Sequence, residues 1–230
     1  VDRVKRDIIR LYDKDFIRID PTGKASAMFK AIPSELTRNS SRYQVASVTE
    51  NGRANRLLET ITNMGESMVV NMAYHANDPG PGMAFHKDTS TFKMFVGDTG
   101  LFVTLAFWDK EFTDNVIYQK LLTDKLSKDL GYVYENVVAQ MLVASGNELY
   151  YHTFPTESGK HRYEVDFLIP DGDKVVPIEV KSSGYKAHVS LDAFCTKFSS
   201  RVSRPYLIYT KDLRKEGNLL YLPVYMTMFL

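Results

Sequence analysis

One stretch limits the fold more than any other: YEVDFLIPDGDKVVPIEVKSS, residues 163–183. Tyr163–Pro170 alternates, which predicts a strand with Val165, Phe167 and Ile169 on one face and Glu164 and Asp166 on the other. Asp171-Gly172 supplies a turn, because this pair tolerates the positive φ that tight hairpins require. Lys174–Ser182 then returns as the second strand. Side chains two apart share a strand face, so Glu179 and Lys181 point one way while Ile178 and Val180 point into the core. Asp166 falls opposite or diagonal to Glu179, depending on how many residues the turn takes, and either register keeps the two within reach.

Two carboxylates and an ammonium on one sheet face form a donor set with two readings. Hard divalent cations take oxygen ligands, often one or two carboxylates completed by water and substrate phosphate. A neighbouring lysine can orient a metal-activated water or stabilise charge developing on a phosphate. The other reading is a solvated strand face carrying a charge pair.

At 230 residues the chain has room for one large or two small domains, each with its own core. Its net charge of +1 provides no global basic field that would point to nucleic acid. Residues 1–56 are locally basic, with twelve Lys/Arg against seven Asp/Glu. The single cysteine, Cys195, excludes an internal disulfide and fits a reducing compartment. It lies in LDAFCTKF, where a small buried filler is expected. No apolar run approaches the ~18 residues needed to cross a membrane, and no signal peptide is visible. A cytoplasmic location without membrane contact is therefore expected.

Along the chain, Val4, Ile8, Ile9 and Leu11 have helical spacing within residues 2–14. Thr22-Gly23-Lys24 invites comparison with a phosphate loop, but Arg18 replaces the first glycine and Ala25 the Ser/Thr, so no ATP site is read here. A short helix is expected over Ala25–Ile32, ended or redirected by Pro33, and another over Ser34–Asn39. Residues 51–66 predict a helix capped by Asn51, lined by Leu57, Leu58 and Ile61 and ended at Gly65. Ser67–Tyr74 and Thr91–Val96 predict two strands around a loop over His75–Met83. Helices followed by such a hairpin suggest a winged-helix-like module, with Arg53 and Arg56 as phosphate contacts. Asp98 is expected to bond the local backbone, and Phe107 and Trp108 to be core. Asn115–Ser145 reads as helix with Leu126, Leu130, Val133, Val137, Val138, Met141 and Leu142 as its buried stripe. Strands are expected over Glu148–Phe154, Arg204–Tyr209 and Leu219–Met228, a helix over Tyr185–Ser200 and a charged turn over Lys211–Asn218. The five histidines have no ligand spacing to one another.

The spacing D-x(12)-E-V-K, with E-x-K on a strand, resembles the core motif of the PD-(D/E)XK (restriction-endonuclease-like) nucleases. GYVYENVVAQML (131–142), the hairpin, IYT (208–210) and YLPVYMTMFL (221–230), preceded by KMFVGDTGL (93–101), resemble the C-terminal half of a family of bacterial and archaeal AAA+ type ATP-binding proteins. The resemblance covers most of residues 85–230. It implies an α/β fold in which a winged-helix-like helical module, residues 1–105, precedes a restriction-endonuclease-like αβββαβ core with a mixed sheet, residues 106–230. It also implies Asp166 and Glu179 as Mg²⁺ ligands (Mn²⁺ as substitute), Lys181 positioning the attacking water, and Glu135 assisting, against a plain helix-surface role for Glu135. An N-terminal AAA+ ATPase domain of the parent protein would bind ATP. Two functions follow: a Mg²⁺-dependent phosphodiesterase acting on nucleic acid, or an inactive nuclease-like scaffold for nucleic-acid or protein interaction, including homo-oligomers, that regulates the ATPase.

Overall fold

The computed structural model of the chain describes residues 1–38, 40–47, 57–109 and 131–230. They divide into two compact units, Val1–Met72 with Thr89–Asn136 and Ala73–Asp88 with Val137–Leu230.

The first unit is mainly helical. Helix α1 (Asp2–Ile19) buries Ile9 and Phe16, seven residues and about two turns apart. Val4 and Leu11 lie on a different stripe and are exposed, so only Ile9 of the four expected apolar positions is fully buried. Asp20 then starts helix α2 (Lys24–Thr37): its carboxylate accepts from the Thr22 and Ala25 amides at 3.0 Å each. Thr22-Gly23-Lys24 is thus a helix start built on an aspartate, with Gly23 at φ +75°. Pro33 does not end the helix. It sits buried inside α2, which joins the two short helices expected from the sequence, because Phe29, Ile32 and Pro33 together fill the core. Asp13 joins the helices by accepting from Ser26 Oγ and pairing with Lys30 at 2.8 Å. Tyr43 donates to the Met28 carbonyl at 2.8 Å and stacks on Phe92 at 5.9 Å.

Helix α3 (Leu58–Glu66) buries Ile61 and Met64, with Leu57 at its N-cap; Leu58 is exposed, and Gly65 lies inside the last turn. Helix α4 (Thr99–Ala106) is capped by Asp98, which accepts from the Leu101 amide at 2.8 Å. Trp108 is 38% exposed rather than core, since Arg6 donates to its carbonyl at 2.8 Å and lies 4.9 Å over its ring. The glycine before Asp98 has a steric reason. A Cβ on Gly97 would stand 2.9 Å from the Met68 carbonyl oxygen and 3.1 Å from that of Val69, both backbone atoms that cannot swing away. Gly97→Ala is therefore expected to cost about 2 kcal/mol, read as a lowered thermal midpoint. A change below about 0.5 kcal/mol would mean the backbone yields.

The second unit is a mixed sheet covered by helix. Strand β1 (Val70–Ala76) gives it its C-terminal half, and β2 (Lys87–Val96) its first residues. The others are β3 (Leu149–Pro155), β4 (Arg162–Asp171), β5 (Lys174–Val180), β6 (Tyr206–Tyr209), β7 (Arg214–Glu216) and β8 (Leu219–Pro223). The order is β2-β1-β3-β4-β5-β6-β8-β7. β1 runs parallel to β3, with Ala73 opposite Leu149, so the strands read as a wing add to the core sheet. β3-β4-β5 are antiparallel, β5-β6 and β6-β8 parallel. Helix α5 (Gly131–Ala144) precedes β3, and α6 (Val189–Lys197) crosses from β5 to β6. Phe194 of α6 packs with Val165, Leu168 and Val175. The predicted charged turn contains the short strand β7, and the predicted last strand ends at Pro223, where a 3-10 turn (Val224–Phe229) begins. Leu126 and Leu130 lie outside the described residues; Val133, Val138 and Leu142 are fully buried, whereas Val137 and Met141 are half-buried.

The histidines of β1 and β3 stack, His152 buried and His75 half-buried. His152 Nδ1 donates to the Ala76 carbonyl at 2.7 Å, and the His75 ring stacks on His152 at 5.3 Å. Burial pushes the His152 imidazole down from 6.5 to about 4, and Lys197 and Arg162 oppose its protonation further. The unfolded chain therefore takes up the proton first as pH falls. This part of stability is fully present above pH ~6.5 and is lost towards pH 4. Between pH 7 and 5 the loss is about 2 kcal/mol. In urea titrations at both pH values, His152→Gln should remove that part of the difference; an unchanged slope would contradict the assignment.

Candidate functional site

The hairpin sets the site. Asp171 pairs with Lys174, so the turn proper is Gly172-Asp173, with Gly172 at φ +60°. That short turn fixes the register: Phe167 lies opposite Ile178, the last pair of the ladder before Asp166 and Glu179.

A β-bulge next to Asp166 breaks the expected alternation. Across β3 and β4, Tyr150 pairs with Leu168 but His152 pairs with Val165, so β4 carries one extra residue at Asp166–Phe167. Val165 consequently joins Leu168 in the cluster under α6 instead of sharing a face with Phe167 and Ile169. The bulge also frees Asp166 for a side-chain role: its Oδ2 accepts from the Val180 amide at 2.7 Å. Glu179 is 5% exposed, and Lys181 Nζ stands 2.7 Å from its Oε1. The lysine keeps 29% of its side chain exposed, so the ion pair reaches from a buried carboxylate to the rim. Asp166, Glu179 and Lys181 are thus brought together by one hairpin.

Glu135 belongs to the first unit. Its Oε2 stands 3.9 Å from Nζ of Lys93, a lysine only 7% exposed. Lys93 opens the motif KMFVGDTGL, and the spacing alone did not reveal that it meets the glutamate of the GYVYEN segment. The neighbouring Asn136 is fully buried and acts as a clamp. Its Oδ1 accepts from the Val96 amide at 2.9 Å, and its Nδ2 donates to the Val96 carbonyl and to Thr99 Oγ1 at 3.0 Å each. Sequence reasoning gave Asn136 no role, although a buried asparagine beside a glutamate was the available signal. Arg53 and Arg56 lie outside the described residues.

Cys195 is half-buried and its thiol is pushed up to about 11 by burial and Asp192, which suits a filler rather than a nucleophile. Among the described residues, no three or more His, Cys, Asp or Glu side chains gather to hold a metal, and no helix is long and apolar enough to cross a membrane. A cleft of about 310 Å³ in the first unit, lined by Ile9, Arg10, Asp13, Lys30, Leu105 and Trp108, contains none of the site residues.

The geometry defines a mixed α/β chain whose second unit presents two carboxylates and a lysine on adjacent strands. Residues 130–226 match the model of a family described as Domain of unknown function (DUF4143). Domains of this family are commonly found at the C-terminus of AAA-type ATPases. No curated protein and no solved structure matches the chain.

Proposed function

We propose that the second unit is a metal-dependent phosphodiester hydrolase acting on nucleic acid, within a parent protein whose N-terminal AAA+ type domain binds ATP. The observation that carries this reading is the Asp166 carboxylate held 2.7 Å from the Val180 amide, one residue along from Glu179, whose Oε1 stands 2.7 Å from Lys181 Nζ. In this reading the α5-β3-β4-β5-α6-β6 succession is a restriction-endonuclease-like core.

The donor set fits a hard cation, since Mg²⁺ and Mn²⁺ accept one or two carboxylates with water completing the shell. Asp166 and Glu179 would hold it, and the metal would acidify a bound water and neutralise charge on the phosphate. Lys181 orients the attacking water and draws towards the phosphate as charge builds there. The buried Glu179 keeps that ammonium aimed until substrate arrives. Asp166 is itself held by the Val180 amide.

The closed Glu179–Lys181 pair also favours a second reading, in which the same residues brace an inactive scaffold that regulates the ATPase. Hydrolysis separates the two. Single-stranded and duplex DNA and RNA, incubated with the protein and Mg²⁺ or Mn²⁺, should be cleaved by the native chain and not by Asp166→Asn. Equal cleavage by both would overturn the assignment.

A further inference from the structure

We propose that Tyr185 and Arg214 form a stacking strip that carries single-stranded nucleic acid to the Asp166–Glu179–Lys181 site. The inference rests on the reading of that site as one for phosphodiester substrates, and it names the form of substrate.

The sheet register leads from the site to the strip. Glu179 is level with Leu207 on β6, and Leu207 with Tyr221 on β8; in parallel strands such partners share a face. One step on, the Lys181 amide donates to the Ile208 carbonyl at 2.8 Å, which brings Lys181 alongside Tyr209. Tyr209 and Tyr221 are buried with ring centroids 5.5 Å apart, and Tyr185 meets Tyr209 edge-on at 5.2 Å. Their hydroxyls are fixed: Tyr209 donates to the Asp212 carbonyl, and Tyr221 to Glu216 at 3.0 Å. The buried tyrosines thus form a floor supporting the two accessible members. Tyr185 is half-buried and follows Lys181 by four residues, within about 14 Å along the chain. Arg214 has 41% of its side chain exposed, and its guanidinium lies 4.2 Å over the Tyr221 ring and 5.8 Å from that of Tyr185. Its ion pair with Glu216, at 3.2 Å, holds the plane in place. Lys186, beside Tyr185, is exposed.

A rigid ring beside a stacked guanidinium suits unpaired bases and their phosphates. Every base offers a π-face, and stacking needs no sequence. A duplex has its bases already stacked and would use the cations alone.

The test is fluorescence anisotropy of a labelled oligodeoxythymidine of about 20 nucleotides. The whole chain is used in EDTA, so that nothing is cut. Tyr185→Ala should weaken binding roughly 5- to 100-fold, and Tyr185→Trp should restore it. Arg214→Gln should weaken binding and reduce the salt slope by about one. Binding within about twofold of native in Tyr185→Ala, or no rescue by Trp in a chain with native circular dichroism, would overturn the strip. Tighter, Tyr185-independent binding of a duplex would do the same. Hydrolysis is scored separately: binding that needs Tyr185 without any cleavage would sink the catalytic reading and leave the strip standing, and cleavage indifferent to Tyr185 the reverse.

Discussion

Asp166→Asn and Glu179→Gln are each expected to lower metal-dependent hydrolysis by at least about 100-fold while leaving the fold intact. Asparagine keeps the size of aspartate and can still accept from the Val180 amide, so the hairpin should survive. What it loses is the negative charge that would hold a divalent cation. Glu179→Gln removes the same charge from a buried position and leaves Lys181 beside a neutral amide. Lys181→Met separates the roles: it should lower the rate comparably while the carboxylates still bind metal. If Lys181→Met cleaves like the native chain, the lysine is only a structural counter-ion. The measurement is initial rate against metal concentration, with circular dichroism confirming the fold.

Asn136→Ala is expected to destabilise the first unit by about 3 kcal/mol. The buried amide serves both polar groups of Val96, a fully buried residue, and Thr99 besides. Truncation leaves a backbone donor and acceptor without this partner where water is excluded, and each such group costs about 1–3 kcal/mol. Hydrogen exchange at the Val96 amide should accelerate in step with the fall in the urea midpoint. A loss under about 0.5 kcal/mol would show that the strand end repacks onto another partner.

Local chemistry explains which features were legible in the sequence. The hairpin was readable because a glycine turn signal and two apolar strand-like runs lie within 21 residues. The Asp98 cap was readable because its partner is three residues away. Features decided by distant contacts were not. The bulge at Asp166–Phe167 arises from the pairing of β3 with β4 and moves Val165 to another face. Pro33 looked like a helix end because proline removes a hydrogen bond, yet burial of its ring and neighbours outweighs that loss. β1 reads locally as half of a hairpin, but its pairing with β3 needed residues more than 70 positions away. In the candidate site, the placement of Asp166 and Glu179 on one hairpin followed from strand periodicity. The ion pair of Lys93 with Glu135 and the clamp of Asn136 on Val96 did not, because each spans about 40 residues.

Isothermal calorimetry of Mg²⁺ and Mn²⁺ binding, with the native chain set against an Asp166→Ala, Glu179→Ala double variant, tests the central claim most directly. The account predicts saturable binding to the native chain that the folded double variant lacks. Equal binding by both proteins, or heat from neither with substrate oligonucleotide present, would contradict it.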